Sequence, residues 1–327
     1  MSIIEVYSPG PLTTVQDLGR EGFGPMGVSA SGAADPVALR LGNLLVGNNE
    51  GAAALEMTLV GGTFVFPQGA IVALTGSDFG AELNEVAVPM WASIEAKAGQ
   101  TLRMGATRSG ARCYLCVRGG IDVKPFMGSS STHLLSGLGG HEGRALRKGD
   151  VLHVGAERGR FRGKAVAARA LRRLEPRKVL RVTPGPQSEA FSDAARRSFY
   201  GNTYRVAEES NRMGLRLEGA ALPHVQRLPA VQGVGELAEK MTEGVSLGAV
   251  QITPAGLPII LFVEQQTTGG YAKIANVISA DVSSLGQLRP RDEIRFEAVD
   301  WEMARALLLE QETLLASAEV FVAQGSG

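Results

Sequence analysis

The chain is nearly devoid of cysteine: Cys113 and Cys116 are the only two in 327 residues. No disulfide framework can staple such a fold, and a reducing, cytoplasmic setting suits it. Net charge is missing too. Thirty-three basic residues balance 33 acidic ones, which removes any global pull toward nucleic acid or a membrane surface. Apolar runs are short. Those such as residues 257–263 fall far below the ~20 needed to cross a bilayer. The opening Met1-Ser2-Ile3-Ile4-Glu5 has no basic segment leading into an apolar stretch, so a secretory signal is not expected.

Familiar chemical motifs are equally scarce. No lysine precedes Ser or Thr, so there is no P-loop. Gly137-Leu-Gly139-Gly140-His-Glu-Gly143 is glycine-rich but has the wrong spacing for a dinucleotide fingerprint, and no strand–helix alternation surrounds it. His133, His141, His153 and His224 show no close ligand spacing, and no metal site is expected from them. A GxSxG elbow is absent. Lys240-Met241 lacks the Ala-Met-Lys-Met context of a biotin carrier. Cys113-Tyr-Leu-Cys116 has redox spacing but lies in an extended apolar run, where residues three apart point to opposite faces. Two buried structural cysteines are expected.

Turn residues are what the chain has in quantity, with 42 glycines and 15 prolines against 6% aromatics. With 44% hydrophobic residues it can bury a substantial core. Strand-like runs at 3–7, 63–66, 71–74, 114–117, 151–154, 179–182, 259–263 and 294–299 predict a mainly β, β-rich α+β fold of barrels or sandwiches. The clearest helix covers 36–46, with Asp35 as N-cap, Pro36 at its first position and Gly47 just past its end. Val37, Leu41, Leu44 and Leu45 form its apolar stripe. Further helices are predicted over 188–199 and 301–317, the latter with Trp301, Ala304, Leu308 and Leu315 on one side. Residues 144–181 hold 13 basic and 3 acidic residues, about +10 against −10 on the rest. This segment reads as a solvated connector, or else as a dock for an acidic partner or phosphates. It places a boundary near Pro176, giving an N-terminal β-rich domain over 1–175 and a C-terminal domain over 176–327.

Four polar, glycine-flanked segments are candidates for chemistry. Asp17 and Arg20, then Ser31 and Asp35, lead into the capped helix, whose N-terminus offers free N–H groups to an anion. Asp35 most economically caps that helix, and Asp17 and Arg20 can simply pair on a turn. Gly128-Ser129-Ser130-Ser131-Thr132 has the small, hydroxyl-bearing character of an anion nest or a plain loop. Asn211 and Arg212 set a guanidinium beside a small-residue turn. The densest segment is Glu264-Gln265-Gln266-Thr267-Thr268-Gly269-Gly270-Tyr271-Ala-Lys273. It follows an apolar strand, so its carboxylate, hydroxyls, phenol and ammonium stand where the chain leaves the core. The Gly-Gly pair permits close backbone approach. A structural polar turn is the alternative.

These blocks resemble, in order and over residues 3–299, the family variously called allophanate hydrolase subunit 2, the 5-oxoprolinase C subunit or biotin-dependent carboxyltransferase, which includes KipA. The matching segments are Thr-Thr-Val-Gln-Asp17-Leu-Gly-Arg20, Gly27-Val-Ser-Ala-Ser-Gly-Ala-Ala-Asp35, Gly119-Gly-Ile-Asp122, Gly139-Gly140 through Gly149-Asp150, Ser210-Asn-Arg-Met-Gly214 and Gln266-Thr-Thr-Gly-Gly-Tyr271. The chain departs from the family pattern at Ser130, in place of arginine, at Glu264 in place of aspartate, and at Gln265 and Ala272. It departs again at Pro290-Arg291-Asp292, where the pattern reads Pro-Gly-Asp.

The resemblance implies cyclophilin-like β-barrel architecture, including the C-terminal domain. It also implies the C subunit of an ATP-dependent 5-oxoprolinase, working in a hetero-oligomer with a B subunit (KipI-like) and an A subunit to convert 5-oxo-L-proline to L-glutamate. ATP with Mg would act at the level of the complex, phosphorylating the resonance-stabilised lactam oxygen so that water can attack. On this reading Glu264 and Lys273 are catalytic. Asp17, Arg20, Ser31, Asp35, Ser129, Ser131, Asn211, Arg212, Gln266, Thr267, Thr268, Gly269, Gly270 and Tyr271 bind substrate or anion, with Arg20 and Arg212 as clamps. A carboxyltransferase component using a partner's carboxybiotin is a second reading. A non-catalytic, KipA-like regulator of a kinase-inhibitor protein is a third.

Overall fold

A computed structural model describes residues 2–157, 159–222 and 242–324. His224 and Lys240-Met241 lie outside them. The chain forms two compact units. One comprises Met1–Arg20, Ser31–Glu175 and Glu312–Gly327, the other Glu21–Ala30 and Pro176–Gln311. Two segments therefore stand outside a simple division at Pro176: Glu21–Ala30 goes with the second unit, and Glu312–Gly327 with the first.

The first unit contains β1 (Ile3–Ser8), β2 (Thr13–Gln16), α1 (Pro36–Leu45), β3 (Ala54–Thr58), β4 (Thr63–Phe66), β5 (Ala70–Gly76), β6 (Glu82–Leu83), β7 (Val86–Ala87), β8 (Ser93–Ala96), β9 (Gln100–Arg103), β10 (Arg112–Val117), β11 (Val151–His153), β12 (Lys164–Val166) and α2 (Ala168–Arg173). Two sheets, ordered β11-β1-β4-β9-β6-β7 and β2-β3-β10-β5-β8, face each other. Ile4, Val6, Phe64, Phe66 and Leu102 of one pack with Leu55, Met57, Val72, Leu74 and Leu115 of the other.

The second sheet is covered on its far side by α1, so β10 is buried along its whole length. Cys113, Leu115 and Val117 join the core between the sheets, while Tyr114 and Cys116 join the layer with Val37, Leu41 and Leu45. Both thiols are free and buried, on opposite faces as the strand period dictates. α1 has Pro36 at its start, Asp35 Oδ1 accepting from Ala38 N, and Gly47 beyond its end at φ +79°. Its buried surface is wider than a stripe, for Ala38, Leu39, Gly42 and Asn43 are buried as well and Leu44 is only half-buried.

In the second unit lie β13 (Val179–Pro184), α3 (Asp193–Gly201), β14 (Tyr204–Val206), β15 (Gly214–Glu218), β16 (Glu243–Gly244), β17 (Ala249–Ile252), β18 (Pro258–Leu261), β19 (Thr268–Gly269), β20 (Lys273–Val277), α4 (Val282–Gln287) and β21 (Glu293–Ala298). Seven strands close a barrel in the order β13-β20-β17-β18-β15-β14-β21, its one parallel pair being β13 with β21. Closure removes sheet edges, the physical advantage of such a barrel. Leu180, Val182, Val250, Ile260, Ile294 and Phe296 are buried, and Phe199 of α3 stacks on Phe296 at 4.4 Å between ring centroids. The fold is mainly β, as expected.

One helix expectation is corrected, and the one over 301–317 is met. The helix expected over 188–199 is a 3-10 turn, Ser188–Ala190, followed by a break at Phe191 and a new start at Asp193. Ser192 caps that start, its Oγ accepting from Ala195 N at 3.2 Å. A serine gains more at such a cap than inside a helix. The last helix, α5 (Trp301–Ala316), buries Ala304 and Leu315 but leaves Trp301 72% exposed. Beyond it, β22 (Phe321–Ala323) pairs with β12. No helix among the described residues is long and apolar enough to cross a membrane. Several charges of the basic segment meet acidic partners within their own unit: Arg144 with Asp150, Arg169 with Glu319, Lys178 with Asp292 and Arg181 with Asp281.

Candidate functional site

The second unit holds a cavity of about 660 Å³ beside the barrel wall. Ala249 of β17 and Lys273 and Asn276 of β20 line one side, while Gly244, Val245, Thr267 and Thr268 line another. The latter four belong to or adjoin the two-residue ribbon in which Glu243 pairs with Gly269 and Gly244 with Thr268. Pro186 and Ser246 line it too, as do Gly24, Pro25 and Gly27 from the Glu21–Ala30 segment of this unit. The register of β20 on β17 shifts between Val250 and Gln251, so that Gln251 opposes Lys273 while Val250 opposes Ala275. A bulge of this kind re-aims a side chain. Here it sits at Lys273.

The ammonium of Lys273 is 5% exposed and meets Glu243 Oε1 at 2.5 Å. Gln187 Nε2 donates to the same oxygen at 2.6 Å, while Gln187 Oε1 accepts from Lys273 N at 3.0 Å. The Lys273 ammonium holds the Glu243 carboxyl below its ordinary range. Asn276 Oδ1 accepts from Ser246 Oγ at 2.8 Å. The cavity thus offers one buried cation, three hydroxyls and an amide against an otherwise apolar lining. Such an arrangement can grip one small anion and orient the group attached to it.

Of the other sequence-predicted residues in this unit, Glu264 and Arg212 are buried against each other, Arg212 Nε to Glu264 Oε1 at 2.5 Å. The backbones are bonded too, Glu264 N to Arg212 O at 2.8 Å. Neither lines the cavity. Asn211 closes a local turn by accepting from Met213 N at 2.8 Å. At Gly269 a Cβ would stand 2.8 Å from Gln251 Nε2 and 2.9 Å from Gln266 Nε2, so a side chain there would push both amide ends aside. Gly270 follows without lining the cavity. Tyr271 is half-exposed and contributes its carbonyl to the Lys273 ammonium at 3.4 Å.

The remaining candidates form a second cluster, in the first unit. The Asp17 carboxylate accepts from Ser129 Oγ at 2.6 Å, Ser131 Oγ at 2.5 Å, Ser130 N at 2.6 Å and Gly19 N at 2.8 Å. Three of these donors hold it to the serine loop, and the fourth, Gly19 N, closes a local turn. The Arg20 guanidinium, 2% exposed, donates to Ser131 O and lies over the Phe126 ring. Ser31 Oγ donates to Thr132 O at 2.8 Å. Gly139 adopts φ +64°, and a Cβ there would stand 2.2 Å from Ser131 O, so only glycine fits against this loop. Asp35 belongs to the helix cap, its N–H donating to Tyr114 Oη at 2.8 Å. Tyr114 Oη in turn donates to Glu56 at 2.7 Å. The two expected anion clamps, Arg20 and Arg212, thus lie in different units, each buried among partners of its own.

Comparison with known proteins places this geometry in a family. Residues 26–298 match the model of the carboxyltransferase domain, subdomain A and B. The chain belongs to that family. It is 38% identical over 310 residues to the 5-oxoprolinase C subunit of Escherichia coli K12, covering 95% of both chains. It is 36% identical to the protein of the same name from Haemophilus influenzae, covering 96% of both. Among solved structures, the K. lactis urea amidolyase superposes with a TM-score of 0.87 at 32% identity over 96% of this chain, which spans 20% of that one.

Within the family's matched span lie several residues in or beside the cavity that the sequence pattern did not single out: Glu243, Gln187, Ser246 and Asn276. Glu243 stands on a strand of two residues, too short for any periodicity, and is separated from Lys273 by 29 intervening positions. A signal did exist. Lys273 heads the run Ile274-Ala275-Asn276-Val277, apolar but for Asn276, and a lysine entering a buried strand needs an acidic partner somewhere.

Proposed function

We propose that this chain is the C subunit of an ATP-dependent 5-oxoprolinase, acting with B (KipI-like) and A subunits in the hydrolysis of 5-oxo-L-proline to L-glutamate. One observation carries the reading: a chain that corresponds nearly end to end with relatives named as the 5-oxoprolinase C subunit holds a buried ammonium and two threonines around a cavity of small-molecule size. The substrate is a carboxylate on a compact lactam ring. Lys273 takes the carboxylate by charge-assisted hydrogen bonding. Thr267 and Thr268 face the polar lactam edge, and Val245 and Ala249 meet the ring carbons.

The residues here do not fit ATP. A triphosphate with Mg calls for several cations and metal-holding carboxylates. Lys273 is the one cation among the described residues lining the cavity, too few for a triphosphate. No three of His, Cys, Asp and Glu gather for a metal among the described residues. ATP with Mg is therefore assigned to the assembled complex, and no step is routed through this cavity.

The test is glutamate release from 5-oxoproline with ATP by the co-expressed subunits. Turnover that needs this chain and falls about tenfold or more in K273M supports the reading; absence of ATP-coupled release from the assembled subunits removes it. Glu264 keeps its proposed acid–base role on one condition. E264Q must lose turnover while the complex assembles and melts normally. Unfolding of E264Q instead assigns the residue to the buried pair with Arg212, whose disruption costs about 3–5 kcal/mol. The likeness to the K. lactis urea amidolyase structure favours a second reading, a carboxyltransferase component using a partner's carboxybiotin. Inhibition of the assembled activity by avidin would select it. A KipA-like regulator would show neither activity.

A further inference from the structure

Lys273 and Glu243 are an unequal pair. The lysine is fixed: its side chain is 5% exposed, it heads a barrel strand, and its backbone N–H is held by Gln187. The glutamate is not. Its side chain is 44% exposed and stands at the end of a two-residue ribbon on the cavity edge. Withdrawing Glu243 into water costs that carboxylate little, because its far side is already hydrated. Leaving the buried ammonium without an anion costs far more. The pair therefore opens only in exchange for another anion, and the partner that moves is Glu243.

What Glu243 vacates has a definite shape. Lys273 Nζ at 2.5 Å and Gln187 Nε2 at 2.6 Å both point at one carboxylate oxygen. A ligand arriving through the cavity meets Lys273 with Thr267 and Thr268 beside it; Gln187 follows Pro186 of the lining and donates to the oxygen that Lys273 holds.

We propose that Glu243 is a resident stand-in for the ligand: a small carboxylate or carboxylate-sized monoanion displaces it and takes its place on Lys273 and Gln187. The inference rests on the proposed function only in naming 5-oxoproline as that anion. Displacement keeps the ammonium neutralised in the empty protein and makes occupancy depend on a planar anionic group. A neutral amide of the same size cannot make the exchange.

The experiment is calorimetric titration of the full chain with sodium 5-oxo-L-proline, its neutral carboxamide, and bicarbonate. E243Q should bind the anion about tenfold tighter than the unsubstituted protein. E243D, which keeps the charge but shortens the reach, should also bind it several-fold tighter. K273M should lose anion binding, and the carboxamide should respond to none of these changes. Anion affinity that stays level or weakens in both Glu243 variants overturns the stand-in role. So does failure of every form to bind either anion. Tightening toward bicarbonate with no binding of 5-oxoproline upholds the stand-in and removes the oxoprolinase reading instead.

Discussion

Arg291 sits at φ +72°, in the left-handed region that an L side chain enters at a cost of about 1–2 kcal/mol. The family pattern has glycine in this Pro-x-Asp turn. Arg291 also makes an exposed ion pair with Glu208, which contributes little. Arg291→Gly relieves the strain while loosening the unfolded chain. The net expectation is a gain of about 0.5–1 kcal/mol in urea denaturation, and a loss would show that the ion pair dominates. Asp150 shows the opposite case, a side chain suited to its place. It receives Arg144 in a two-pronged contact at 2.8 and 2.9 Å and the Arg147 N–H at 2.7 Å. The Arg144 guanidinium holds its carboxyl below the ordinary range. A carboxyl depressed in the folded state stabilises above the unfolded value and loses that contribution as pH falls through the folded one. Asp150→Asn should cost about 1–2 kcal/mol at pH 7. That deficit should shrink toward zero on acidification below about pH 4. A deficit independent of pH would assign the loss to packing.

At the scale of the element, β10 is the strand whose sequence and surroundings agree most fully. Six consecutive buried residues reflect a strand covered on both faces, which yields a continuous apolar run instead of an alternating one. The two cysteines inherit their inertness from that position: burial pushes both thiols well above the ordinary range. Native protein should therefore leave an aromatic disulfide reagent unconsumed, with two equivalents reacting only after denaturation. Fast native labelling of either thiol would contradict the sheet placement. The same logic explains what is legible in the chain itself. Runs such as 63–66 and 114–117 announce themselves because four or more largely apolar residues stand together. β16 and β19, two residues each, carry no period, yet they place Gly244 and Thr268 at the cavity and Glu243 on Lys273. Arg20 and Asp17 resemble a site because glycines and hydroxyls surround them. The same features build a tightly bonded structural network, and composition alone does not separate the two. Gly24 to Gly27 belong to no predicted element, and their place beside β20 depends on contacts some 250 residues apart in sequence.

At the scale of the molecule, the chain's last described residues belong to its first unit. Glu312 grips Arg40 of α1 through two hydrogen bonds at 2.7 and 2.8 Å. Leu315 and Val320 are buried with Leu41 and Ala170 in one layer. β22 continues β12 as its antiparallel partner. Removing residues 312–327 exposes the face that these side chains cover. Two buried aliphatic residues and a lost ion pair together amount to about 5 kcal/mol, comparable with the whole stability of many domains. The barrel of the second unit takes none of its strands from this segment. Hydrogen exchange on the truncated chain should therefore show α1 and β12 losing protection while β17 and β20 retain theirs. Leu315→Ala should reproduce the pattern at about 2–4 kcal/mol. Equal loss of protection in the barrel strands would mean that the two cores unfold as one cooperative body, and no loss in α1 would mean that the terminal segment merely rests on the unit it was assigned to.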